Sequence, residues 1–189
     1  MVSKNGHSRI RINVFRFSEG KYTPDNNKSS FMIYCNEISN PEFKINNGKY
    51  VVDLYKDYYL DNQLISSIKT NNKIINVVAS IYAKENGLNN CVLLNKDKMV
   101  AEFINSNIFI IKNDQIFTPT IKSGCLNGVL RSNLINILKK SSYSISEKDI
   151  STFDLTQSDE VFGTNVTQGL FCVTNYRNKI YSNNQSQQI

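Results

Sequence analysis

The chain has 189 residues, 40% of them hydrophobic and 20% charged, with a formal net charge of +6, enough apolar material for one ordinary domain or a little more. Its lysines are scattered and form no stripe of arginines and aromatics, so the basic balance reads as a solvated surface and not as a nucleic-acid interface. One histidine, His7, and four widely spaced cysteines, Cys35, Cys91, Cys125 and Cys172, assemble no zinc site.

No signal peptide pattern is present, and no apolar run approaches the ~18 residues of a membrane span. The reading is a reduced, cytoplasmic protein in which Cys91 and Cys172, set in apolar runs, are buried thiols.

Taken in order, residues 8–17 alternate, with Ile10, Ile12 and Val14 on one face and Arg9, Arg11 and Asn13 on the other. That pattern predicts a half-buried strand. At Phe15 the phase slips, which a bulge or a strand end covered on both faces would explain. Residues 20–29 read as a turn-rich loop, and 31–37 and 50–55 as two further strands. Three strands joined by loops predict an antiparallel sheet with one face in need of cover. Residues 56–60 read as a linker. A helix is predicted over 72–86, with Ile75, Val78, Ala79 and Tyr82 in one stripe and Gly87 as its C-terminal cap. Residues 91–95 and 99–102 form a strand, a turn and its return.

Residues 102–131, E-F-I-N-S-N-I-F-I-I-K-N-D-Q-I-F-T-P-T-I-K-S-G-C-L-N-G-V-L-R, organise the rest. Asn107 opens a strand over 107–112, Asn113-Asp114 reverses it, and 115–117 returns as a hairpin partner. Thr118-Pro119 stops that strand, and a loop leads to a helix beginning near Gly128. An acid at one end and a glycine-marked helix N-terminus at the other suit a charged, phosphorylated ligand. The helix is predicted over 129–139 with Leu130, Leu134, Ile137 and Leu138 inward. Residues 142–146 read as a strand and 147–153 as a short helical piece. Residues 160–163 and 170–174 flank the polar loop T-N-V-T-Q-G, and the tail from Ser182 reads as frayed.

The 102–131 string resembles the signature of the class IV aminotransferases, the fold-type IV pyridoxal-phosphate enzymes. An acid (Glu102) is followed by Asn-hydrophobic-aromatic (Asn107-Ile108-Phe109), then Thr118, then a hydrophobic-x-Gly-hydrophobic-x-basic ending (Leu126-Asn127-Gly128-Val129-Leu130-Arg131). The similarity runs over roughly residues 9–181. It implies an α/β (α+β) fold: the mixed-sheet pseudo-barrel of the family's large domain over 58–181, preceded by part of a small antiparallel-sheet domain over 1–57 and followed by a polar tail over 182–189. It also implies that the start of the small domain, with the phosphate-binding arginine and several substrate-pocket residues, lies upstream of Met1. Losing two charge-assisted hydrogen bonds at ~1.5–3 kcal/mol each would weaken cofactor binding by orders of magnitude.

The resemblance assigns roles residue by residue. Lys69, in S-S-I-K-T-N-N, falls at the Schiff-base lysine, an amine whose chemistry calls for burial near a cation. Glu102 would face the pyridine nitrogen and keep it protonated. The phosphate would rest on Val129 and Leu130 N–H groups and on the loop Asn165-Val166-Thr167. Many relatives carry a hydroxyl where Leu130 and Val166 stand here. Arg131 and the Asp159-Glu160 pair read as structural, and no metal is implied. The expected activity is amino transfer between a branched-chain-type amino acid and 2-oxoglutarate, with no nucleic-acid or membrane partner and with a homodimer allowed. Two alternatives accompany it: an aminodeoxychorismate lyase, which the strings at 127–131 and 164–166 resemble somewhat more, and an inactive truncated copy.

Overall fold

The computed structural model describes residues 7–38 and 42–189, and the chain divides into two compact units, 1–42 and 43–189. The first holds one antiparallel pair, β1 (Ser8–Arg16) and β2 (Ser29–Glu37). Its register runs unbroken from Ser8↔Glu37 to Arg16↔Ser29, so there is no bulge at Phe15. The pairs Ile10↔Cys35, Ile12↔Ile33 and Val14↔Phe31 line up the apolar face foreseen from the alternation. That face is exposed and not half-buried: Ile10, Ile12, Val14, Phe31 and Ile33 all stand open, because a two-stranded ribbon has no second layer of its own.

The second unit contains two mixed five-stranded sheets. One has the order β12-β11-β3-β4-β5, from β3 (Val51–Leu60), β4 (Asn90–Asn95), β5 (Val100–Phe103), β11 (Asn175–Tyr176) and β12 (Lys179–Ile180). The other has the order β10-β9-β6-β7-β8, from β6 (Asn107–Lys112), β7 (Gln115–Thr118), β8 (Ser144–Glu147), β9 (Glu160–Asn165) and β10 (Gly169–Val173). Three helices complete it: α1 (Ile74–Glu85), α2 (Val129–Lys140) and α3 (Thr152–Gln157).

Two expectations move here. Residues 56–60 are no linker: β3 continues through Leu60, which pairs with Asn95 beyond a register shift, and Tyr58-Tyr59-Leu60 carries the strand-forming side chains that a linker lacks. Nor does β3 join β1 and β2 in one antiparallel sheet. It lies parallel to β4 and β11, in the compact unit that begins at Phe43.

Alternation along the strands sorts the core into layers. On β6, Ile108 and Ile110 point into the cluster shared by the two sheets, with Leu54, Val92, Phe103, Val161 and Phe171. Phe109 and Ile111 point the other way and pack with Phe162 against Leu134, Ile135 and Leu138 of α2. On β4, Leu93 and Cys91 face Ala79 and Ala83 of α1. On α2 the inward stripe is therefore Arg131, Leu134, Ile135 and Leu138, spaced i, i+3, i+4, i+7; Ile137 lies off it and is exposed.

The remaining differences are local. Glu147 ends β8, and the helical piece begins later, at Thr152, behind a capping box in which Ser151 and Asp154 satisfy each other's backbone N–H groups. The tail is not frayed. The Ser186 side chain is fully buried, and Glu160, 2% exposed, accepts from Ser186 N–H at 2.9 Å, Ser186 O–H at 2.6 Å and Gln185 N–H at 2.9 Å. A buried carboxylate without such donors would be costly, so Glu160 folds the tail back onto β9. Cys91, Cys125 and Cys172 are buried free thiols.

Candidate functional site

Several segments of the second unit meet at the start of β6, and the residues of the 102–131 string tie them together. Glu102, on β5, is 5% exposed, and its Oε2 accepts the Leu126 N–H at 2.8 Å. Asn76, in the first turn of α1, donates from Nδ2 to the Ile104 carbonyl at 2.7 Å, two residues beyond Glu102. Burial pushes the Glu102 carboxyl above its ordinary range. The Leu126 N–H, the Lys73 ammonium, the Asn76 side chain and the Lys69 ammonium each pull it back, in that order of weight.

Lys69 follows the 3-10 turn Leu64–Ser67, and that turn is joined to the loop leading into α2: Asn127 N–H donates to the Ser67 carbonyl at 3.0 Å. Ser67, two residues before Lys69, and Glu102 are thus tied to the same 126–127 stretch, and the Lys69 charge acts on the carboxylate. Lys69 itself is exposed. The burial that its chemistry calls for is not supplied by the described residues.

Asn107 explains why the string needs an amide at that position. Its Nδ2 donates to the Leu126 carbonyl at 2.7 Å, on the residue whose N–H holds Glu102. A Cβ added at Gly128 would lie 2.2 Å from Asn107 Oδ1, so the glycine permits the close approach. Thr118 Oγ1 donates to the Ile108 carbonyl at 2.7 Å. Arg131, 3% exposed, donates from one nitrogen to the Pro119 carbonyl at 2.8 Å and to Glu147 at 2.6 Å. Arg131 therefore anchors both ends of the loop's frame, the structural role expected of it. Residues 119–128 are clamped at Pro119 by Arg131, at Leu126 by Glu102 and Asn107, and at Asn127 by the Ser67 carbonyl.

That clamp sets the start of α2. Gly128 is the N-cap, no side chain caps the helix, Val129 is exposed and Leu130 is half-buried. An uncapped helix start presents N–H groups and the positive end of the helix dipole. The loop 165–168 reaches the same end of the sheet because Asn107 on β6 pairs with Thr164, next to the end of β9. Within that loop Asn165 Oδ1 accepts the N–H groups of Thr167 at 3.0 Å and Gln168 at 2.8 Å. The Asn165 oxygen and the Thr167 N–H are therefore engaged with each other, while the exposed Val166 stands at the tip.

Three residues near this end were not singled out from the sequence. Lys73 and Asn76 are recognisable as the N-cap and a first-turn position of α1, one helical turn apart. Thr164 shares Asn107's face through strand pairing, and its buried hydroxyl has no hydrogen-bond partner, as is also true of Ser106. The cavity of about 270 Å³ lined by Arg131, Ser132, Asn136, Lys139 and Glu147 lies along α2 and includes neither Lys69 nor Glu102. Among the described residues no group of three or more His, Cys, Asp or Glu could hold a metal ion, and no helix is long and apolar enough to cross a membrane.

The sequence model of amino-transferase class IV matches residues 1–176. Branched-chain-amino-acid aminotransferase-like protein 2 of Arabidopsis thaliana is 27% identical over 161 residues, which are 84% of this chain and 29% of that protein. Among solved structures, a Legionella pneumophila protein assigned as 4-amino-4-deoxychorismate lyase superposes with a TM-score of 0.83 at 21% identity, over 94% of this chain and 65% of the other. A Brucella abortus aminotransferase bound to the cofactor PLP superposes with a TM-score of 0.76 at 19% identity, over 92% and 62%. The chain thus spans less than two thirds of the length of each of these proteins, and the two solved structures share its mixed α/β fold.

Proposed function

This chain belongs to the class IV aminotransferase family, and on that premise we propose that it binds pyridoxal 5′-phosphate and transfers an amino group between a branched-chain-type amino acid and 2-oxoglutarate. The observation that carries this reading is the buried Glu102 carboxylate, held by the loop that opens α2 and acted on by the Lys69 charge. The donor set fits the cofactor: an amine for its aldehyde, a carboxylate for its ring nitrogen and an uncapped helix start for its phosphate. The orphaned Thr164 hydroxyl, at the strand end that opens the 165–168 loop, is a further donor without a partner of its own.

The bound cofactor supplies a ring that accepts electrons when a bond at the substrate's Cα breaks. Lys69 Nζ would hold the cofactor and, when its amine is free, would take up the Cα proton and pass it on. Glu102 would supply the negative charge that keeps the ring nitrogen protonated. Val129 and Leu130 N–H groups would hold the phosphate, together with Asn165, Val166 and Thr167 of the neighbouring loop. The partners on this reading are small amino and 2-oxo acids, handled in the cytoplasm by a homodimer.

A second reading, an aminodeoxychorismate lyase releasing 4-aminobenzoate and pyruvate, is favoured by the strings Asn127-Gly128-Val129-Leu130-Arg131 and Thr164-Asn165-Val166. One pair of assays separates the two. Glutamate formation from leucine and 2-oxoglutarate supports the transaminase, whereas pyruvate release from aminodeoxychorismate without it replaces that reading by the lyase. Neither product, in a chain that takes up cofactor, overturns both.

A further inference from the structure

The cavity of about 270 Å³ along α2 takes no part in the cofactor reading, yet a buried cation with an idle donor lines it. Arg131 is buried there, and both bonds that fix it, to Pro119 and to Glu147, leave from Nη2. Its Nε–H is buried without an acceptor. Buried N–H groups of native proteins are nearly all satisfied, so an acceptor is expected at this edge of the guanidinium. A lone water could supply one, but the surroundings ask for more. Lys139 brings a second cation to the rim, and Ile121 and Ile135 add an apolar wall. A water needs neither.

We propose that this cavity binds a small organic monocarboxylate, its charge on Arg131 and Lys139 and its tail along Ile121 and Ile135. The planar guanidinium matches a carboxylate, and its five donors allow a second acceptor beside Glu147. Charge selects the class. Arg131 and Lys139 set against Glu147 leave one positive charge among the lining groups, which suits a monoanion. A phosphate monoester carries nearly two negative charges and would meet Glu147 as well. The volume also falls just below the ~300–1,000 Å³ of pockets that take larger ligands.

The cavity is joined to the candidate cofactor site without including Lys69 or Glu102. Asn127 lines it, accepts the Ser132 hydroxyl on Oδ1 at 3.0 Å, and donates its own N–H to the Ser67 carbonyl, two residues before Lys69. Arg131 holds the other end of the same loop at Pro119. A carboxylate on Arg131 therefore acts on the segment that opens α2. Only that consequence rests on the cofactor reading; the binding site does not.

The test uses the full chain without cofactor. The Arg131 Nε–H resonance, assigned by through-bond correlation to its own backbone amide, is followed by NMR during titration with isocaproate and, separately, with inorganic phosphate. Isocaproate is expected to shift it saturably, with a dissociation constant of about 0.1–10 mM, and phosphate to shift it less at equal concentration. Lys139→Glu, at an exposed position outside the clamp, is expected to weaken isocaproate binding about tenfold. Lys69→Ala is expected to leave it unchanged. The absence of a saturable shift, which a lone water on Nε would give, or an affinity untouched by Lys139→Glu, overturns the proposal. Equal binding of phosphate overturns the assignment to a carboxylate, and loss of binding in Lys69→Ala would put the ligand elsewhere and overturn the site. Uptake of pyridoxal phosphate is read separately from its absorbance, so failure of one reading leaves the other standing.

Discussion

Gly128 should be replaceable only together with Asn107. The backbone at Gly128, φ −67° and ψ 139°, is open to any residue, so a Gly128→Ala substitution meets no conformational strain. Its methyl group would instead lie 2.2 Å from Asn107 Oδ1, forcing the amide off the Leu126 carbonyl that it holds at 2.7 Å. Overpacking of this kind costs ~1–3 kcal/mol. Asn107→Ala costs a comparable ~1–3 kcal/mol, because the Leu126 carbonyl loses its donor in a part-buried site. Once the amide is absent, however, the added methyl has room, and the second substitution should add little. The double variant is then less destabilised than the sum of the singles by about 1–2 kcal/mol. Urea denaturation reads this directly, since with a slope of about 1–3 kcal/mol/M that coupling displaces the midpoint by roughly 0.3–2 M. Additive losses at an unchanged slope would show that Asn107 and Gly128 do not contend for the same space, and the clamp account would fail.

Other consequences can be read with the same preparations. Truncation after Tyr181 removes the donors that Glu160 receives from Gln185 and Ser186. Losing hydrogen bonds to an ionised carboxylate costs up to ~1.5–3 kcal/mol each, less where water replaces the donors, so the melting temperature should fall by several degrees; an unchanged melting temperature would contradict the folded tail. Glu102 should make the chain less stable as pH rises. Its folded-state carboxyl is raised above the ordinary 4.5 chiefly by burial, so between 4.5 and that higher value the folded state binds more protons than the unfolded one. Its contribution is fully present below 4.5 and is lost as pH rises through the folded value. Glu102→Gln should therefore gain stability relative to the wild type between pH 4 and pH 8, measured by thermal unfolding, and a constant difference across that range would refute the assignment.

The parts legible in the sequence were those where a local pattern and a tertiary need coincide. The β6–β7 hairpin is written in the apolar run Ile108–Ile111 with Asn113-Asp114 as its turn, and both turn residues take the positive φ that such a reversal demands. The α2 start is marked by Gly128, and within the Glu102-to-Arg131 string Glu102, Asn107 and Arg131 all act on one loop. What stayed hidden depends on partners distant along the chain. Residues 56–60 look polar enough for a linker until Asn95 is seen opposite Leu60. The tail looks disordered in composition, and only the buried Glu160 reveals why Ser186 is inside. The capping box at Ser151 and Asp154 was readable from its spacing and was passed over. Lys73 and Asn76 carried a helical spacing but no sign that β5 ended beside them. The exposed face of β1 and β2 reverses a rule that reads well elsewhere, since alternation shows which side chains share a face and not whether anything covers it.

The most direct measurement asks which amine takes the cofactor. The chain is incubated with pyridoxal 5′-phosphate, reduced with borohydride, digested and mapped by mass spectrometry. A phosphopyridoxyl group confined to the peptide carrying Lys69, absent from Lys69→Ala and weakened in Glu102→Ala, is the predicted result. Label on Lys73 instead, or spread over exposed lysines without dependence on Glu102, would contradict the pairing of this amine with this carboxylate.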